Sequence, residues 1–456
     1  MGKELFSMLV FLLIGLLFKP SITIANFQHQ VSNDAKVLCV TLVVPDNHKK
    51  IQWAINNASD RDAIYVRSGV YREHVIVNRS VSLFGGFEGG VTTIDGEING
   101  TVVKIEANDV WIQGFTIRNS GVNWWDSGIH LKWVRRCLIE GNNLTHNYFG
   151  VNIDESAPRN ELAPGDNVIL NNNIACNFYG IYSGDSWGNK IIGNRIAGNF
   201  AVGLRFHLVD FTNVIANNIT DSGVCGIYIE HSYGNTIFHN NFVNWQQFYC
   251  NYSENNVWDD RKSEGNYWSD YNGTGTEGIG NTPYIMNVNN RDNYPLMGMF
   301  LNMSLTWPTE HYVTVISNSN ISKLVFSLFM TNIGIISLDV NGENSTEGFC
   351  RILIPKTLLN SSYTILVDDK PISYPQQWKE LWSNDTYEYL YINYTHSQHQ
   401  IKILGITPVS EFSNQLFLLA SMLLVFSIIL FFLKLCKTSK RLFKSRRTKQ
   451  YLYVRP

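Results

Sequence analysis

Between residues 128 and 248 the polar and apolar positions recur with a period of 22 or 23. The segments that fall in register are GIHLKWVRRCLIEGNNLTHNYF from Gly128, GVNIDESAPRNELAPGDNVILNNNIACNFY from Gly150, GIYSGDSWGNKIIGNRIAGNFAV from Gly180, GLRFHLVDFTNVIANNITDSGVC from Gly203 and GIYIEHSYGNTIFHNNFVNWQQF from Gly226. Each opens with Gly and an aliphatic residue, and the ESAPRNELAPGD insert of the longer member reads as a loop. Within a repeat the apolar residues alternate instead of following a 3.6-residue spacing: Ile129 with Leu131, Val151 with Ile153, Leu204 with Phe206, Ile227 with Ile229. A second set follows in Ile191 with Ile196, Val214 with Ile219 and Ile237 with Phe242. Several short strands per repeat, broken by Gly and Asn, predict a chain coiled into a parallel β-helix. One coil cannot bury its inner face alone, so the coils must stack.

Asparagine supplies the corners. Asn142, Asn172, Asn194, Asn217 and Asn240 fall at nearly the same place in successive repeats, and Asn189, Asn213 and Asn235 form another column. Asn tolerates left-handed backbone, bonds turn amides, and pairs with copies of itself when stacked.

The same alternation sorts the side chains that leave the solenoid. With the second and fourth residues of each opening strand inside, His130 and Lys132, Asn152 and Asp154, Tyr182 and Gly184, Arg205 and His207, and Tyr228 and Glu230 point out, while Asp185 and His231 follow where the strand turns. The predicted ligand-binding set is therefore His130, Asn152, Asp154, Tyr182, Arg205, His207, Tyr228, Glu230 and His231. Rings flanked by hydrogen-bonding groups suit a glycan or another extended ligand bound without turnover. A polysaccharide hydrolase or lyase is the alternative, and its catalytic candidates are Asp185, His207 and Glu230. A solvated face with no ligand is the third reading. In SDYNGTGTEGIGNTPY, Asp270, Asn272 and Glu277 are candidate oxygen ligands for calcium, set against an end cap in which Tyr267, Trp268, Tyr271, Tyr284 and Tyr294 cover the last coil.

From Leu305 the repeat stops. Alternating segments such as HYVTVISNSNISKLVFSLFM, FCRILIP and TYEYLYINYTH predict an antiparallel β-sandwich over 304–408. The fold class is therefore all-β, with a solenoid over 44–298, a sandwich stalk, and one C-terminal transmembrane helix. That helix is LFLLASMLLVFSIILFFL within 415–433. Residues 1–25 have the layout of a signal peptide, and nine Lys and Arg without an acid in 434–456 predict a cytoplasmic tail beside anionic lipid. The expected location is a single-pass cell-membrane protein with its ectodomain outside.

The chain holds 36 Lys and Arg against 38 Asp and Glu. Setting aside the nine tail cations with Lys3, Lys19 and Glu4 leaves 25 bases and 37 acids, near −12 for the rest. Nucleic acid, which needs a cationic face, is excluded as a partner. Sequons, among them Asn143, Asn251 and Asn393, permit glycosylation. Six cysteines fall in the predicted ectodomain without a C-x-x-C pair, leaving a Cys225–Cys250 disulfide and buried thiols both open.

The stretch from Ile51 to Gly86, IQWAINNASDRDAIYVRSGVYREHVIVNRSVSLFGG, followed by TTIDG, resembles the opening of pectin-lyase-like right-handed β-helix proteins of the NosD-type and CASH (carbohydrate-binding and sugar hydrolysis) group. NNVWDDRKSEGNYWSDYNG through GNTPYIMNVNNRDNYPLM resembles the segment that closes the solenoid in archaeal members, and the resemblance covers roughly Val44 to Met297. It implies a cap helix from Ile51 to about Ala58 and a closing loop that in relatives is richer in aspartate. The second half similarly resembles the immunoglobulin-like stalks of archaeal surface proteins. The family also implies copper, which would want His, Cys or Met in a cluster. The available donors are His207 and His231 on neighbouring coils and Met297, Met299 and Met303.

Overall fold

The computed structural model describes residues 41–154, 165–307, 309–330 and 333–407. The predicted signal peptide, transmembrane helix and basic tail lie outside these residues, as does most of the ESAPRNELAPGD insert. Among the described residues no helix is long and apolar enough to cross a membrane.

The repeats wind as predicted. One ladder of eight parallel strands runs from Val75–Val77 and Val103–Ile105 through Ser127–Lys132, Phe149–Asp154, Tyr179–Trp187, Val202–Asp210 and Cys225–Glu230 to Phe248–Asn251. Two further parallel ladders of mostly three-residue strands are joined through the long strand Ser82–Asp95. In the eight-stranded ladder Ile129, Val151, Ile181, Leu204 and Ile227 occupy one register column, and all are fully buried. The inward residues of the three ladders share one core, into which Ile191, Ile196, Val214, Ile219, Ile237 and Phe242 also pack. The helix Ile51–Asn57 closes the first coil with Ile51, Ala54 and Ile55 buried. Glu73 accepts from two of its first-turn amides, where the helix dipole favours a carboxylate.

Stacked asparagines hold the corners. Asn142, Asn172, Asn194, Asn217 and Asn240 form a continuous ladder that continues to Asn266, each Oδ1 taking the backbone and side-chain N–H of the residue one coil earlier. The second column differs from expectation. It runs Asn167, Asn189, Thr212, Asn235, Asn256, while Asn213 sits on the adjoining strand beside Lys190 and Thr236. Thr212 accepts no side-chain donor there, but its amide still bonds Asn235, so the column survives the substitution. A third column, Asn147, Asn177 and Asn199, lines the corner just before the eight-stranded ladder.

The last coil is closed by a ring stack in which Trp268 lies 4.4 Å from Phe242 and 4.5 Å from Tyr284, nearly parallel to both. Tyr271 and Tyr284 pack against the core edge, while Tyr267 belongs to a smaller cluster at the junction with the second half. The buried Trp258 joins this cap, 5.9 Å from Trp268. Asp292 anchors it, accepting from the indole N–H of Trp268 and the amides of Asn266 and Tyr294.

Met299–Thr306 through Gln398–Ile406 form two five-stranded antiparallel sheets. One orders Met299–Thr306, Glu310–Ser317, Glu347–Pro355, Tyr387–Thr395 and Trp378–Ser383. The other orders Asn320–Met330, Ile333–Asn341, Gln398–Ile406, Asn360–Val367 and Lys370–Pro371. Strands of both contribute to one apolar core. A polar knot joins this unit to the solenoid. Glu264 accepts from Arg351 at 2.8 Å and Tyr389 at 2.5 Å and pairs with His239 Nε2 at 2.9 Å. Asn241 exchanges two hydrogen bonds with the Phe300 backbone, and the Phe300 ring stacks on His239 at 4.3 Å.

Cys225 and Cys250 are free thiols. The register explains why they do not pair: Cys250 lies opposite Ile229, four residues along the strand from Cys225, about 13 Å away. Denaturing alkylation without reductant is expected to modify both; a disulfide-linked peptide in the digest would contradict this arrangement.

Candidate functional site

The outer face of the eight-stranded ladder carries the predicted side chains in two register columns. Lys104, His130, Asn152, Tyr182, Arg205, Tyr228 and Tyr249 form one, and Lys132, Asp154, Gly184, His207, Glu230 and Asn251 the other. His231 follows the end of its strand as expected, whereas Asp185 is an unpaired position inside the strand Tyr179–Trp187; both have left-handed backbone.

At the lower-numbered end the columns open into a cavity of about 480 Å³ lined by Thr101, Lys104, Trp125, Asp126, His130, Lys132 and Asp154. Its polar groups are underused. His130 Nε2 has no hydrogen-bond partner and stands 4.0 Å from Asp154 Oδ2. Asn152, fully buried between His130 and Tyr182 in the register, has partners for neither amide atom. Buried polar groups are nearly always paired, because leaving one unpaired costs about 1–3 kcal/mol; of these two residues only His130 lines the cavity. Burial, with Lys132 and Lys104 close by, pushes His130 down to about 4, so near neutral pH its ring is uncharged and can both donate and accept. Lys132 is exposed.

Trp125 lines this cavity, and beside it stands an aromatic cluster that was not anticipated from the repeats. Where the following coils place one to three residues between the corner position and the ladder strand, this coil carries six, Gly121 to Asp126, between Ser120 and Ser127. The loop is held by Asp126, whose carboxylate takes the Asn123 amide, and by the Thr101 and Ser127 hydroxyls, which both donate to the Trp125 carbonyl. Trp125 has φ +88°, a conformation that a bulky side chain adopts only under such restraint. Trp124 stands edge-on to Tyr148, Phe149, Tyr179 and Tyr182, with ring centroids 5.3–6.2 Å apart. Tyr148 stacks on Phe178 along the corner at 4.9 Å, and Phe200 follows at 5.4 Å, tilted by 30°. Aromatic doublets close two of the five repeats, Tyr148-Phe149 and Phe178-Tyr179, and that was the available signal.

Further along, Glu230 gathers two of its predicted neighbours. Its Oε2 lies 3.4 Å from Arg205 Nη2 and 3.3 Å from His207 Nδ1, and the Arg205 guanidinium covers the Tyr228 ring at 4.3 Å. Asp185 shares no hydrogen bond with His207 or Glu230, and Asp154 and Glu230 are three register steps apart, roughly 14 Å at the spacing of paired strands. His231 stacks on Tyr252 at 5.1 Å.

Two of the calcium candidates, Asp270 and Glu277, bond other side chains of the protein. Asp270 accepts from the Tyr284 hydroxyl, and the Glu277 carboxylate pairs with Lys379 of the second unit. Among the described residues no three His, Cys, Asp or Glu side chains cluster as metal ligands do. His207 and His231 approach with ring centroids 6.2 Å apart, Met299 and Met303 lie on a strand of the second unit, and Met297 packs into the junction. The described residues therefore do not assemble the soft-donor set copper would want. A second cavity, about 400 Å³, lies between solenoid and second unit beside Glu277, Phe349 and Tyr391, and none of its lining side chains is a buried polar group without a partner.

A stacked-coil solenoid with a polar, ring-walled outer face defines the class of the parallel β-helix proteins. Residues 55–273 match the family described as "Periplasmic copper-binding protein (NosD)", so the solenoid is similar to that family over just under half of the chain. A "Cell surface glycoprotein" of Methanothermus fervidus is 33% identical over 97 residues, which make up 21% of this chain and 15% of that protein, so the chain spans under one sixth of its relative. Among solved structures, the Dettilon tailspike protein gp208 aligns over 80% of this chain and 94% of its own at 12% identity and a TM-score of 0.29. An alginate lyase from Paenibacillus sp. str. FPU-7 aligns over 50% and 77% at 14% identity and a TM-score of 0.29.

Proposed function

We propose that this is a membrane-anchored cell-surface protein whose solenoid binds a glycan on the outer face of its eight-stranded ladder, without turning it over. The observation that carries the reading is the cavity on this face, in which the half-exposed Trp125 ring stands beside His130, Lys104, Lys132 and Asp154. A ring stacks on a sugar face while the imidazole and the charged groups fix orientation. The spacing argues against cleavage, since glycosidase carboxylates stand about 5–9.5 Å apart and Asp154 and Glu230 are well beyond that. The name of the Methanothermus relative accords with a surface location, as do the hydrophobic segments at the two ends of the sequence. In this reading the two antiparallel sheets are the immunoglobulin-like stalk that holds the solenoid off the membrane.

The His207–Glu230 contact is what favours the runner-up, a polysaccharide hydrolase or lyase. Incubating the purified full-length protein with a panel of polysaccharides separates the two. Retention without new reducing ends or unsaturated products is the expected result, and product formation would sink the non-enzyme reading. Trp125→Ala is expected to weaken retention about tenfold or more, since it removes the exposed ring that lines the cavity.

A further inference from the structure

The two five-stranded antiparallel sheets end in open edges. Among the described residues Met299–Thr306 pairs only with Glu310–Ser317, Trp378–Ser383 only with Tyr387–Thr395, and Asn320–Met330 only with Ile333–Asn341. The short strand Lys370–Pro371 pairs only with Leu366 and Val367, which leaves Asn360 to Thr364 on a fourth open edge. A strand with unpaired N–H and C=O groups is a template for another chain. Exposed Val325, Leu328, Phe329 and Trp382 add apolar surface to two of these edges.

Three of the four edges carry a break in register of the kind that blunts pairing. The shifts fall between Ser322 and Val325, between Glu380 and Trp382, and between Asn360 and Thr364, and Lys323, Ser361 and Ser362 there take left-handed backbone. Met299–Thr306 alone pairs without a shift. N-x-S/T sequons fall on the same four edges. Asn302 sits in the middle of the unbroken strand, Asn320 and Asn360 begin theirs, and Asn384 directly follows Trp378–Ser383. All four are exposed, as are the hydroxyl residues two positions on, Ser304, Ser322, Ser362 and Thr386. Asn302 and Asn384 bond their neighbours through Oδ1, not through the Nδ2 that takes sugar. The two other sequons of this unit lie off the edges, Asn344 in the turn after Ile333–Asn341 and Asn393 on Tyr387–Thr395.

We propose that Asn302, Asn320, Asn360 and Asn384 carry N-linked glycans that keep the open sheet edges from pairing with those of a second copy. Two strands must approach to about 4.8 Å before they can form a ladder, and a bulky, solvated glycan on an edge strand denies that approach. The unbroken edge has its acceptor in mid-strand, where one glycan obstructs both halves. The broken edges, already bent by their bulges, have theirs at an end. This rests on the outside location within the proposed function and not on what the solenoid binds.

The test is glycopeptide mass spectrometry of the full-length protein from a host that N-glycosylates its surface proteins, paired with sedimentation in detergent. Sugar on all four asparagines and a single monomeric species are expected. Ser304→Ala, Ser322→Ala, Ser362→Ala and Thr386→Ala together remove the acceptor signals without touching the asparagines. That variant is expected to lose more than about half of its monomer to dimers and larger species. Ser304→Ala alone, which bares the unbroken edge, should give the largest effect of the four single changes, and it remains readable if the fourfold variant does not fold. Occupied sites whose loss leaves the protein monomeric overturn the proposal, and so does a fully glycosylated protein that is already dimeric. Bare edge asparagines, with the second unit open to protease on intact cells, overturn the proposal alone. Bare asparagines with that unit protected overturn the outside location as well.

Discussion

Arg351→Ala is expected to lower the stability of the folded protein by about 3–5 kcal/mol, the usual consequence of removing one partner from a buried ion pair. Arg351 and Glu264 are 6% and 7% exposed, and the guanidinium serves three acceptors: Glu264 at 2.8 Å, the Glu277 carbonyl at 2.7 Å and the Tyr389 hydroxyl at 3.1 Å. Truncation leaves the Glu264 carboxylate in a dry junction with only Tyr389 and His239. Replacing the pair together, as in Arg351→Met with Glu264→Leu, removes both charges and is expected to cost less than the single change. Equal melting temperatures for wild type and Arg351→Ala would show that the knot is open to water in solution.

The same knot gives a pH dependence with a definite sign. Burial alone would raise the Glu264 carboxyl, but the His239 hydrogen bond, the charges of Arg351 and His239, and the Tyr389 hydroxyl hold it down to about 2. A folded-state pKa below the unfolded value of about 4.3 contributes stability that is fully present above that value and is lost as pH falls toward 2. The difference corresponds to about 3 kcal/mol. Acid unfolding of wild type is therefore expected to steepen between about pH 4 and 2, and Glu264→Gln should flatten that limb. Because the knot ties the closing segment of the solenoid to strands Glu347–Pro355 and Tyr387–Thr395, its loss should free the solenoid from the second unit before the coils themselves melt.

The solenoid was legible because its signal is repeated. Ile129, Val151, Leu204 and Ile227 recur at one period, and one misread residue does not shift a register that four coils agree on. The outward columns follow from the same alternation, so His130 through Glu230 were placed without any knowledge of contacts. What the repeats could not show is whatever departs from them. The Trp124 cluster sits on a six-residue insertion peculiar to one coil. The junction joins Glu264 to Arg351 across 87 residues with no shared pattern. Burial of the outward columns was equally hidden, since alternation distinguishes in from out but not an open face from one that neighbouring rings cover. Chemical likeness also misled at one place. Asn213 was grouped with Asn189 and Asn235 by type, whereas the hydrogen-bonding position belongs to its neighbour Thr212.

That misplacement supplies an internal control for the largest solenoid effect. Asn217 is fully buried, and its Nδ2 donates to the Ile191 carbonyl at 2.8 Å, the Ile215 carbonyl at 3.1 Å and Asn240 Oδ1 at 2.9 Å. Its Oδ1 accepts both the backbone and side-chain N–H of Asn194. Asn217→Ala leaves the Asn194 donors and the Ile191 carbonyl buried without those partners, at about 1–3 kcal/mol for each group stranded, so a total loss of about 3–5 kcal/mol is expected after local relaxation. Asn213→Ala, four residues away in the same coil, removes an amide that no column uses and is expected to stay within about 0.5 kcal/mol of wild type. Denaturant melts of the two variants decide between a ladder that carries the stack and asparagines that merely suit the turns. In the second case both substitutions would cost about the same, because turn preference depends on the local backbone and not on the coil above or below.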